Sequence, residues 1–360
     1  MDLEDLARTP GPWLDGSGPR PDLVVSTRVR LARNLRGMPF SHRARDEQLI
    51  AVLGSVERAA RATTSFAGGG LLRMHELSPI DRQFLVERHL VSHELSDGAR
   101  PRALVLAEGE RLSIMVNEED HLRLQALCSG FQLAEAWALA ERADEELEQS
   151  LEYAFEEELG YLTACPTNVG TGMRASVLIH LPALVLTKQI DKVLKSVMQV
   201  GLAVRGLYGE GSEVMGNLFQ MSNQTTLGRS EQESVESLDN VTRQILDYEE
   251  RARDVMVRDA GTQIADKVWR AYGNLRHGRS MSSQEVINLC SALRLGTALG
   301  FNGLPPLSTI NQLLVLTQPA HLMRSAGRAL EAPERNVLRA DLVRALLDRA
   351  NSETGSSGQG

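Results

Sequence analysis

Lysine, cysteine and long apolar runs are scarce in this chain of 360 residues. Lysine occurs at only four positions (188, 192, 195 and 267), so nearly all of the 39 basic residues are arginine. The formal net charge of -8 argues against a dedicated nucleic-acid binder. The cysteines, Cys128, Cys165 and Cys290, form no Cys-x-x-Cys pair, which argues against a zinc site or a disulfide framework.

The apolar residues predict a folded protein without a membrane span. No uninterrupted apolar run reaches the length that crosses a bilayer. The first residues, Met-Asp-Leu-Glu-Asp-Leu, are acidic where a secretory signal would be basic. A hydrophobic content of 42% is sufficient for a sizeable core, and the length favours two domains. We therefore expect a cytoplasmic protein in a reducing compartment.

Sequence patterns predict a mixed region of strands and helices followed by an all-helical region. Apolar or alternating runs indicate strands at 71–74, 103–106, 112–117, 177–180, 202–207 and 218–222. The turn Glu108-Gly109-Glu110 would join two of these strands as a hairpin. Helical spacing indicates helices over 131–159 and 231–272 and from 281 onward, with Ser282 or Ser283 as an N-cap. The expected divisions are an N-terminal loop segment (1–20), a mixed domain (21–260), a helical domain (270–350) and a flexible tail (351–360).

The segment from Cys165 to Ser176 has the composition of an anion-binding turn. Gly170 and Gly172 would let the backbone approach an anion closely, and Arg174 follows with a planar donor group suited to phosphate. No Lys-Ser or Lys-Thr follows the second glycine, so the segment is not a P-loop. The anion would therefore be held by arginines.

Five arginines stand beside predicted turns or strand ends, namely Arg28, Arg30, Arg123, Arg174 and Arg205. Arg28 and Arg30 alternate with Val29, so both would project from the same face of a strand. A single arginine in such a place is usually a surface residue. Several together are explained by a polyphosphate ligand, which requires several fixed cations.

Three carboxylates follow Asn117 at the end of an apolar strand, Glu118, Glu119 and Asp120. One interpretation is a solvated strand exit in which Asp120 caps the next helix. The other is a chemical role, either in binding a metal or in accepting a proton from a cationic nucleophile.

Three motifs together resemble the phosphagen (guanidino) kinases, such as creatine kinase and arginine kinase. They are Ser26-Thr-Arg-Val-Arg-Leu-Ala-Arg-Asn34, Asn117-Glu-Glu-Asp-His-Leu-Arg123 and Cys165-Pro-Thr-Asn-Val-Gly-Thr-Gly-Met-Arg174. The segment Arg205-Gly-Leu-Tyr-Gly-Glu-Gly-Ser-Glu213 and the helical C-terminal region resemble the bacterial protein-arginine kinases, which mark proteins for Clp proteolysis. The small helical domain that precedes the catalytic region of creatine kinase is not expected here. The resemblance runs from about residue 20 to residue 345.

This resemblance implies an α+β fold, with a catalytic domain built on an antiparallel sheet flanked by helices and a small all-helical C-terminal domain. It implies ATP with Mg²⁺, the ion being held mainly by phosphates and water, so that no protein metal ligand is expected. The residues implied in ATP binding are Ser26, Thr27, Arg28, Val29, Arg30, His89, Arg123, Arg174, Ala175, Ser176, Val177, Leu178, Arg205, Gly206, Leu207, Tyr208, Gly209 and Glu210.

The resemblance also assigns the residues that would act on the acceptor. A guanidinium is cationic and has no free lone pair, so a carboxylate must orient it and take its proton. Glu119 would be this base, Glu210 a second carboxylate that grips the guanidinium, and Cys165 the reactive cysteine of the family.

The C-terminal segment Arg335-Asn336-Val-Leu-Arg339-Ala340 resembles the Arg-Asp-x-x-Arg-Ala motif with which protein-arginine kinases bind phosphoarginine as an allosteric signal. Asn336 stands where that motif has Asp, so one charge-assisted bond to the guanidinium would be weaker. The alternative interpretation is an ordinary helix with exposed arginines.

The partners implied are proteins with exposed arginines, a zinc-binding activator protein, a Clp ATPase, a stress-response repressor and a second copy of the chain, but no direct nucleic acid and no membrane. Two other functions remain open at this point. One is a kinase for free arginine or another small guanidino compound, and the other is a non-catalytic adaptor that binds phosphoarginine.

Overall fold

The computed structural model describes residues 3–206 and 215–356. The strands in these ranges are β1 (Val24–Arg33), β2 (Gly70–Arg73), β3 (Ala103–Leu106), β4 (Leu112–Val116), β5 (Leu122–Ser129), β6 (Phe155–Glu156), β7 (Gly160–Tyr161), β8 (Met173–His180), β9 (Leu202–Gly206) and β10 (Leu218–Asn223). The helices are α1 (Leu3–Arg8), α2 (Asp46–Ala62), α3 (Pro79–Glu87), α4 (Leu133–Glu148), α5 (Pro182–Leu186), α6 (Ile190–Gln199), α7 (Glu231–His277), α8 (Ser283–Ala298), α9 (Leu307–Leu316), α10 (Pro319–Ala326) and α11 (Ala332–Ser356).

One antiparallel sheet organises the molecule. Over the described residues it has eight strands in the order β2-β3-β4-β5-β1-β8-β10-β9. The ten-residue strand β1 lies between β5 and β8 and pairs with both along most of its length. Because side chains alternate along a strand, alternate residues of β1 project from opposite faces of the sheet. The α+β fold expected from the sequence, with an antiparallel sheet and a helical C-terminal region, is confirmed.

The two faces of the sheet have different environments. One face is apolar and carries Val29, Leu31 and Val177, which join the main core with residues of α2, α4 and α7. At the opposite face, Leu127 and Leu178 pack against residues of the C-terminal helices, such as Leu293 and Leu313. The C-terminal helices therefore cover part of this second face, and polar residues occupy other positions on it.

The predicted β3–β4 hairpin and the pairing of β9 with β10 are both present. The helix expected over 131–159 is wrong beyond residue 148, because α4 ends at Glu148. Extended chain follows, in which the Ala154 N–H donates to the Asn34 carbonyl at 2.7 Å and β6 pairs with β7. Apolar residues at 151, 153 and 155 suit both a helix and an extended strand, and pairing with the segment after β1 favours the extended form.

The capping role considered for Asp120 is also wrong, since no helix follows it. Residues 117–121 form the tight connection between β4 and β5. Asn117 adopts φ +61° in this connection, and its side-chain amide donates to the carbonyls of Leu49 and Pro101 at 2.9 and 2.7 Å. The connection is thus fixed to α2 through Leu49 and to the chain before β3 through Pro101.

The long helix α7 crosses the region in which the sequence predicted a division between domains. It is 47 residues long, and Ala260 departs from helical geometry at φ −143° and ψ 29°.

Ser282 caps α8 by accepting a hydrogen bond from the Glu285 N–H, as the sequence predicted. At the two ends, residues 3–8 and 351–356 are helical where a loop and a tail were expected. No helix among the described residues is long and apolar enough to cross a membrane.

Three histidines are buried in this fold, His121, His180 and His321. Burial lowers the pKa of each, and Arg294 and Arg253 lower that of His180 further. His121 accepts a hydrogen bond from the Leu35 N–H at its Nδ1, so its Nε2 donates to the Pro39 carbonyl at 2.9 Å. All three are therefore neutral in the native state.

We predict that the free energy of unfolding falls as the pH drops below about 6.5, the ordinary pKa of histidine in an unfolded chain. Each native pKa lies below this value, so the unfolded state binds more protons as the pH falls. Urea unfolding of wild type and His180→Asn between pH 7 and pH 5 measures the effect. The slope of the variant should be shallower by up to roughly 1.4 kcal/mol per pH unit, the contribution of one proton. Equal slopes would contradict the assignment.

Candidate active site

The register of the sheet places all five predicted arginines on one face. Arg30 lies directly opposite Arg174 on β8, and on its other side it faces Gln125, which is two residues from Arg123 on β5. Arg28 lies opposite Ser176, which faces Ser222 on β10. Gln220, two residues before Ser222, faces Arg205 on β9. Because directly paired residues share a face, we call this surface the arginine face of the sheet.

The arginines of this face are close enough to repel one another. Burial lowers the pKa of Arg28 to about 10, and the charge of Arg123 adds to the effect. Burial also holds the pKa of Arg30 well below its usual range, with further contributions from Arg28, Arg123 and Arg174. The Nε atom of Arg30 is buried without a hydrogen-bond partner among the described residues. Several positive charges held this close together are unfavourable in the protein without a ligand, and they become favourable when a polyanion is bound.

One carboxylate offsets part of this charge. Arg123 Nη1 donates to both oxygens of Glu118, at 2.8 and 2.6 Å, and the Glu118 side chain is 2% exposed. Burial alone would raise the pKa of Glu118, but Arg123 and a hydrogen bond from Ser92 lower it overall. Glu118 is therefore ionised, and it orients Arg123. Because it is already paired with Arg123, it is not available to accept a proton from a ligand.

A cleft open to solvent adjoins the arginine face, and the space between its walls and its mouth is about 340 Å³, of which about 30 Å³ is cavity in the strict sense. It is lined by Trp13, Ser26, Arg28, His89, Leu127, Ser176, Leu178 and Gln220. The lining combines a cation with polar and apolar side chains, which suits a ligand that carries both an anionic part and a flat apolar part.

His89 has an unusual backbone and an unusual pKa. It adopts φ +60°, and its ring meets the edge of Trp13 with the ring centroids 5.2 Å apart. Burial lowers the pKa of His89 to about 3, with a contribution from Arg28. The ring is therefore neutral at physiological pH and adds no charge to the cavity.

Apart from Gly206 and the other four residues of the arginine face (Arg30, Arg123, Arg174 and Arg205), the described residues predicted to bind ATP fall into two sets. Ser26, Arg28, His89, Ser176 and Leu178 line the cavity. The alternate residues of the same strands, Thr27, Val29, Ala175 and Val177, are fully buried on the other side. Thr27 Oγ1 donates to the Gly130 carbonyl at 2.7 Å, which gives this side chain a structural role. Leu207, Tyr208, Gly209 and Glu210 lie outside the described residues.

Glu119 and Cys165 come together beside the arginine face. Their side chains lie within hydrogen-bonding reach of each other. Burial and the neighbouring Asp120 raise the pKa of Glu119, whereas Cys165 and Arg123 act in the opposite direction. Cys165 Sγ also lies 3.0 Å from Thr167 Oγ1. A half-buried carboxylate with a raised pKa is suited to exchange a proton with a bound ligand.

Asp120 and Asn34 hold the loops that carry these two residues. Asp120 Oδ1 accepts hydrogen bonds from Asn34 Nδ2 and from the Ala164 N–H, both at 2.6 Å. Asn34 Oδ1 in turn accepts from the His121 N–H at 2.9 Å. The residue before Cys165 and the residue after Glu119 are thereby fixed to each other, which explains why the thiol and the carboxylate meet.

The glycine-rich turn approaches another backbone segment closely at Gly170, where the sequence analysis expected close approach to an anion. A Cβ atom on Gly170, at φ +110°, would lie 2.2 Å from the Thr226 carbonyl oxygen. Thr226 Oγ1 donates to the carbonyls of Thr167 and Val169, at 2.9 and 2.7 Å. The turn is therefore anchored to the chain after β10, and a larger residue at position 170 would displace it.

Comparisons with known proteins identify the family of this chain. The family described as "ATP:guanido phosphotransferase, C-terminal catalytic domain" matches residues 52–252, more than half of the chain. The chain belongs to the ATP:guanido phosphotransferase family. A second family, "Protein-arginine kinase McsB C-terminal domain", matches residues 261–358.

Individual relatives support both matches. A "Protein-arginine kinase" of Moorella thermoacetica is 51% identical over 339 residues, covering 93% of this chain and 97% of the relative. One from Bacillus cereus is 47% identical over 335 residues, covering 92% and 94%. Among solved structures, a taurocyamine kinase of Schistosoma mansoni has a TM-score of 0.60 at 26% identity, covering 65% of this chain and 34% of that one. A lombricine kinase has a TM-score of 0.57 at 25% identity, covering 70% and 72%. The protein is a kinase of the phosphagen kinase family.

Sequence reasoning missed several residues of the site. Trp13 reaches the cavity from a short 3₁₀ turn (Pro12–Leu14) in the segment expected to be a loop. Gln220 follows from the alternation of β10 once its pairing with β9 is known. Glu118 was noticed only as part of an acidic run. No signal in the sequence indicated that Trp13 would meet His89, because the two residues lie on separate elements.

The C-terminal motif lies at the start of α11. Arg339 is 2% exposed and donates to the Thr317 and Met281 carbonyls and to Asn336 Oδ1, at 2.7, 2.8 and 2.7 Å. Arg335 is half-buried and donates to the Leu330 carbonyl at 2.6 Å. Ala340 is buried in the core of the C-terminal helices. Burial and the nearby charge of Arg335 lower the pKa of Arg339.

No group of three or more His, Cys, Asp or Glu side chains that could hold a metal ion occurs within residues 3–206 and 215–356. The arginine face itself fits a polyphosphate, because its half-buried guanidinium groups repel one another and the buried Nε of Arg30 has no hydrogen-bond partner among the described residues.

We predict that inorganic tripolyphosphate raises the melting temperature of wild type by several degrees, since a ligand at about 100 times its Kd contributes about 2.7 kcal/mol. Arg30→Gln should lose at least half of this shift. Without the anion, the variant should melt no lower than wild type, because a repelled buried charge has been removed. Arg36→Gln, at an exposed arginine paired with Glu152, is the matched control and should keep the full shift. A full shift in Arg30→Gln would place the anion elsewhere.

Proposed function

We propose that this protein transfers the γ-phosphoryl group of ATP to arginine side chains of other proteins. The observation that carries the proposal is the arginine face, four of whose members repel one another, lying beside the Glu119–Cys165 pair. The relatives named protein-arginine kinase, which match more than nine tenths of the chain, support the same function.

ATP would be held by the cavity and by the arginine face together. The cavity with Trp13, His89, Leu127 and Leu178 would take the nucleoside. Arg28, Arg30, Arg123, Arg174 and Arg205 would contact the phosphates. Phosphoryl transfer is catalysed mainly by alignment and charge compensation, which fixed guanidinium groups supply. When bound, Mg²⁺ would neutralise part of the phosphate charge, and it would be held by phosphates and water.

The acceptor guanidinium would bind at Glu119 and Cys165. Glu119 takes one proton from a terminal nitrogen of the guanidinium, which leaves a lone pair on that nitrogen. This nitrogen attacks the γ-phosphorus, an N–P bond forms, and the P–O bond to the β-phosphate breaks to release ADP. The raised pKa of Glu119 suits a carboxylate that accepts and then releases a proton. Glu210 is proposed as the second carboxylate at the acceptor.

A protein acceptor is favoured over a small guanidino compound by the relatives that span both regions of the chain. The solved neighbours are named as taurocyamine and lombricine kinases, so the small-molecule activity needs a direct comparison. Incubation with MgATP and either casein or free arginine, followed by measurement of acid-labile phosphate, separates the two acceptors. Phosphate on casein with none on free arginine is expected.

We predict that Glu119→Gln loses at least about 90% of turnover and binds ATP nearly as well as wild type. The amide keeps the shape of the side chain and cannot take a proton, and general-base catalysis contributes about 10²–10⁴-fold. The matched control is Glu135→Gln, an exposed carboxylate paired with Arg111, which should retain full activity. Turnover above a tenth of wild type in Glu119→Gln would exclude it as the base.

The wider role of the protein follows from this activity. We propose that the phosphorylated proteins are substrates for Clp-type proteolysis and include a stress-response repressor, that a zinc-binding protein activates the kinase, and that the protein is a cytoplasmic homodimer. We also propose that Arg335, Asn336, Arg339 and Ala340 form an allosteric phosphoarginine site. The repulsion between Arg335 and Arg339 is consistent with an anion site, and the bonds of Arg339 link it to α8 and α9.

We predict that Asn336→Asp strengthens phosphoarginine binding, because a carboxylate forms a charge-assisted bond to the guanidinium of the ligand where an amide cannot. Calorimetry on the wild type and the variant measures this. Asn351→Asp is the matched control, because it makes the same change farther along α11 at a side chain that bonds Tyr272. If the Asn336→Asp variant does not bind phosphoarginine, residues 335–340 have only a structural role in the helix.

A further inference from the structure

Three consecutive residues at the end of α3 contact three separate parts of the molecule. Glu87 is the last residue of the helix, Arg88 is its C-cap, and His89 lines the cavity of the candidate active site. What holds Glu87 and Arg88 therefore determines where the His89 ring lies.

Glu87 binds the start of α10, which belongs to the C-terminal helical region. Its carboxylate accepts from the Ala320 N–H at 2.9 and 3.0 Å and from the His321 N–H at 3.1 Å. It also lies 3.0 Å from His321 Nδ1, which is the donor when the ring is neutral. Both side chains are about 5% exposed. A carboxylate at a helix N-terminus satisfies N–H groups that would otherwise lack partners and interacts favourably with the helix dipole.

Arg88 is fixed from the other side. Its side chain is fully buried and donates from Nε and Nη2 to the two oxygens of Glu110, both at 2.6 Å. Nη2 also donates to the Thr9 carbonyl at 2.6 Å. Glu110 belongs to the turn between β3 and β4, so the end of α3 is held against the sheet as well as against α10.

His89 needs this support because its backbone is in the left-handed region. A residue with a Cβ atom at φ +60° is strained, and it stays in that conformation only when its surroundings determine it. The His89 carbonyl accepts from Gln125 Nε2 at 2.9 Å, and Gln125 faces Arg30 across the sheet. Release of Glu87 would allow α3 to end differently and would move the ring away from Trp13.

We propose that Glu87 is a positioning residue through which α10 sets the affinity of the active site for ATP by fixing His89. The C-terminal helical region would then act directly on the nucleotide cavity, across one buried carboxylate. The inference rests on the proposed function in one respect, namely that the cavity beside His89 takes the nucleoside of ATP.

A second buried carboxylate in the chain provides a matched control. Glu249 accepts from the N–H groups of Ala183 and Leu184, at the start of α5, both at 2.9 Å. Glu249 also forms an ion pair with Arg253 at 3.1 Å. Its replacement should destabilise the protein at least as much as replacement of Glu87, but none of its hydrogen-bond or ion-pair partners lines the cavity. A purely structural role for Glu87 would make the two variants behave alike.

The experiment measures ATP binding by calorimetry and the KM and kcat of casein phosphorylation in the full chain. Glu87→Gln should raise the Kd and the KM for ATP roughly tenfold, within the range by which residues between two coupled sites change an affinity. Its kcat at saturating ATP should stay within about threefold of wild type, because the arginine face and Glu119 are unchanged. Glu249→Gln should lower the melting temperature and leave the affinity for ATP unchanged.

Substitutions at His321 test the same contact from the side of α10. His321→Leu removes the donor and should weaken ATP binding, whereas His321→Asn retains an N–H near the Nδ1 position and should restore it. The emission of Trp13, measured with Trp137 and Trp269 replaced by Phe, should change in Glu87→Gln because the His89 ring leaves its edge. These variants test the positioning role of Glu87 even if the Glu87→Gln protein does not fold.

The results distinguish the proposed function from the positioning role of Glu87. A wild-type protein that binds no ATP would overturn the proposed function. A wild-type protein that binds ATP, together with Glu87→Gln and His321→Leu variants that bind it equally well, would overturn the positioning role alone.

Discussion

Repulsion among buried arginines is the constraint on which the site depends. Arg28, Arg30, Arg123 and Arg174 share one face of a single sheet, and burial with mutual repulsion lowers the pKa of Arg28 and Arg30. Glu118 offsets part of the charge of Arg123, and the Nε atom of Arg30 is buried without a hydrogen-bond partner among the described residues. The fold stabilises this arrangement elsewhere, through an apolar core on the opposite face of the sheet.

A rigid antiparallel sheet is what makes such a concentration of charge possible. Residues on long strands cannot move apart without breaking several backbone hydrogen bonds, so the repulsion is not relieved by a local shift. Preorganised donors of this kind need little rearrangement when a phosphoryl group is transferred. Glu119 and Cys165 are held differently, by loops that are tied together through Asn34, Asp120 and Ala164.

The C-terminal helices contact the sheet and the end of α3. They pack against Leu127 and Leu178, which also line the cavity, and α10 receives Glu87 from the end of α3. Arg339 connects α11 to the ends of the neighbouring helices. The start of α11 therefore lies within one set of packed helices that reaches the cavity beside the arginine face.

The sequence by itself determined the residue types and their local geometry. The alternation of Arg28 and Arg30 with Val29, the close turn at Gly170, the capping of α8 by Ser282 and the strands β3 and β4 were all predictable, because each depends on neighbours within a few residues. The family was predictable too, since its motifs are contiguous segments.

Only the tertiary structure decided which of these residues meet. The pairing of Arg30 with Arg174, the bond between Arg123 and Glu118, the burial of Thr27, and the contact of Glu87 with α10 join residues whose positions depend on strand register and helix packing. The end of α4 at Glu148 was also decided there, because apolar spacing at 151–155 fits two conformations and the partner segment after β1 selects one. Contacts between distant parts of a chain are set by the packing of the whole fold, which no local pattern encodes.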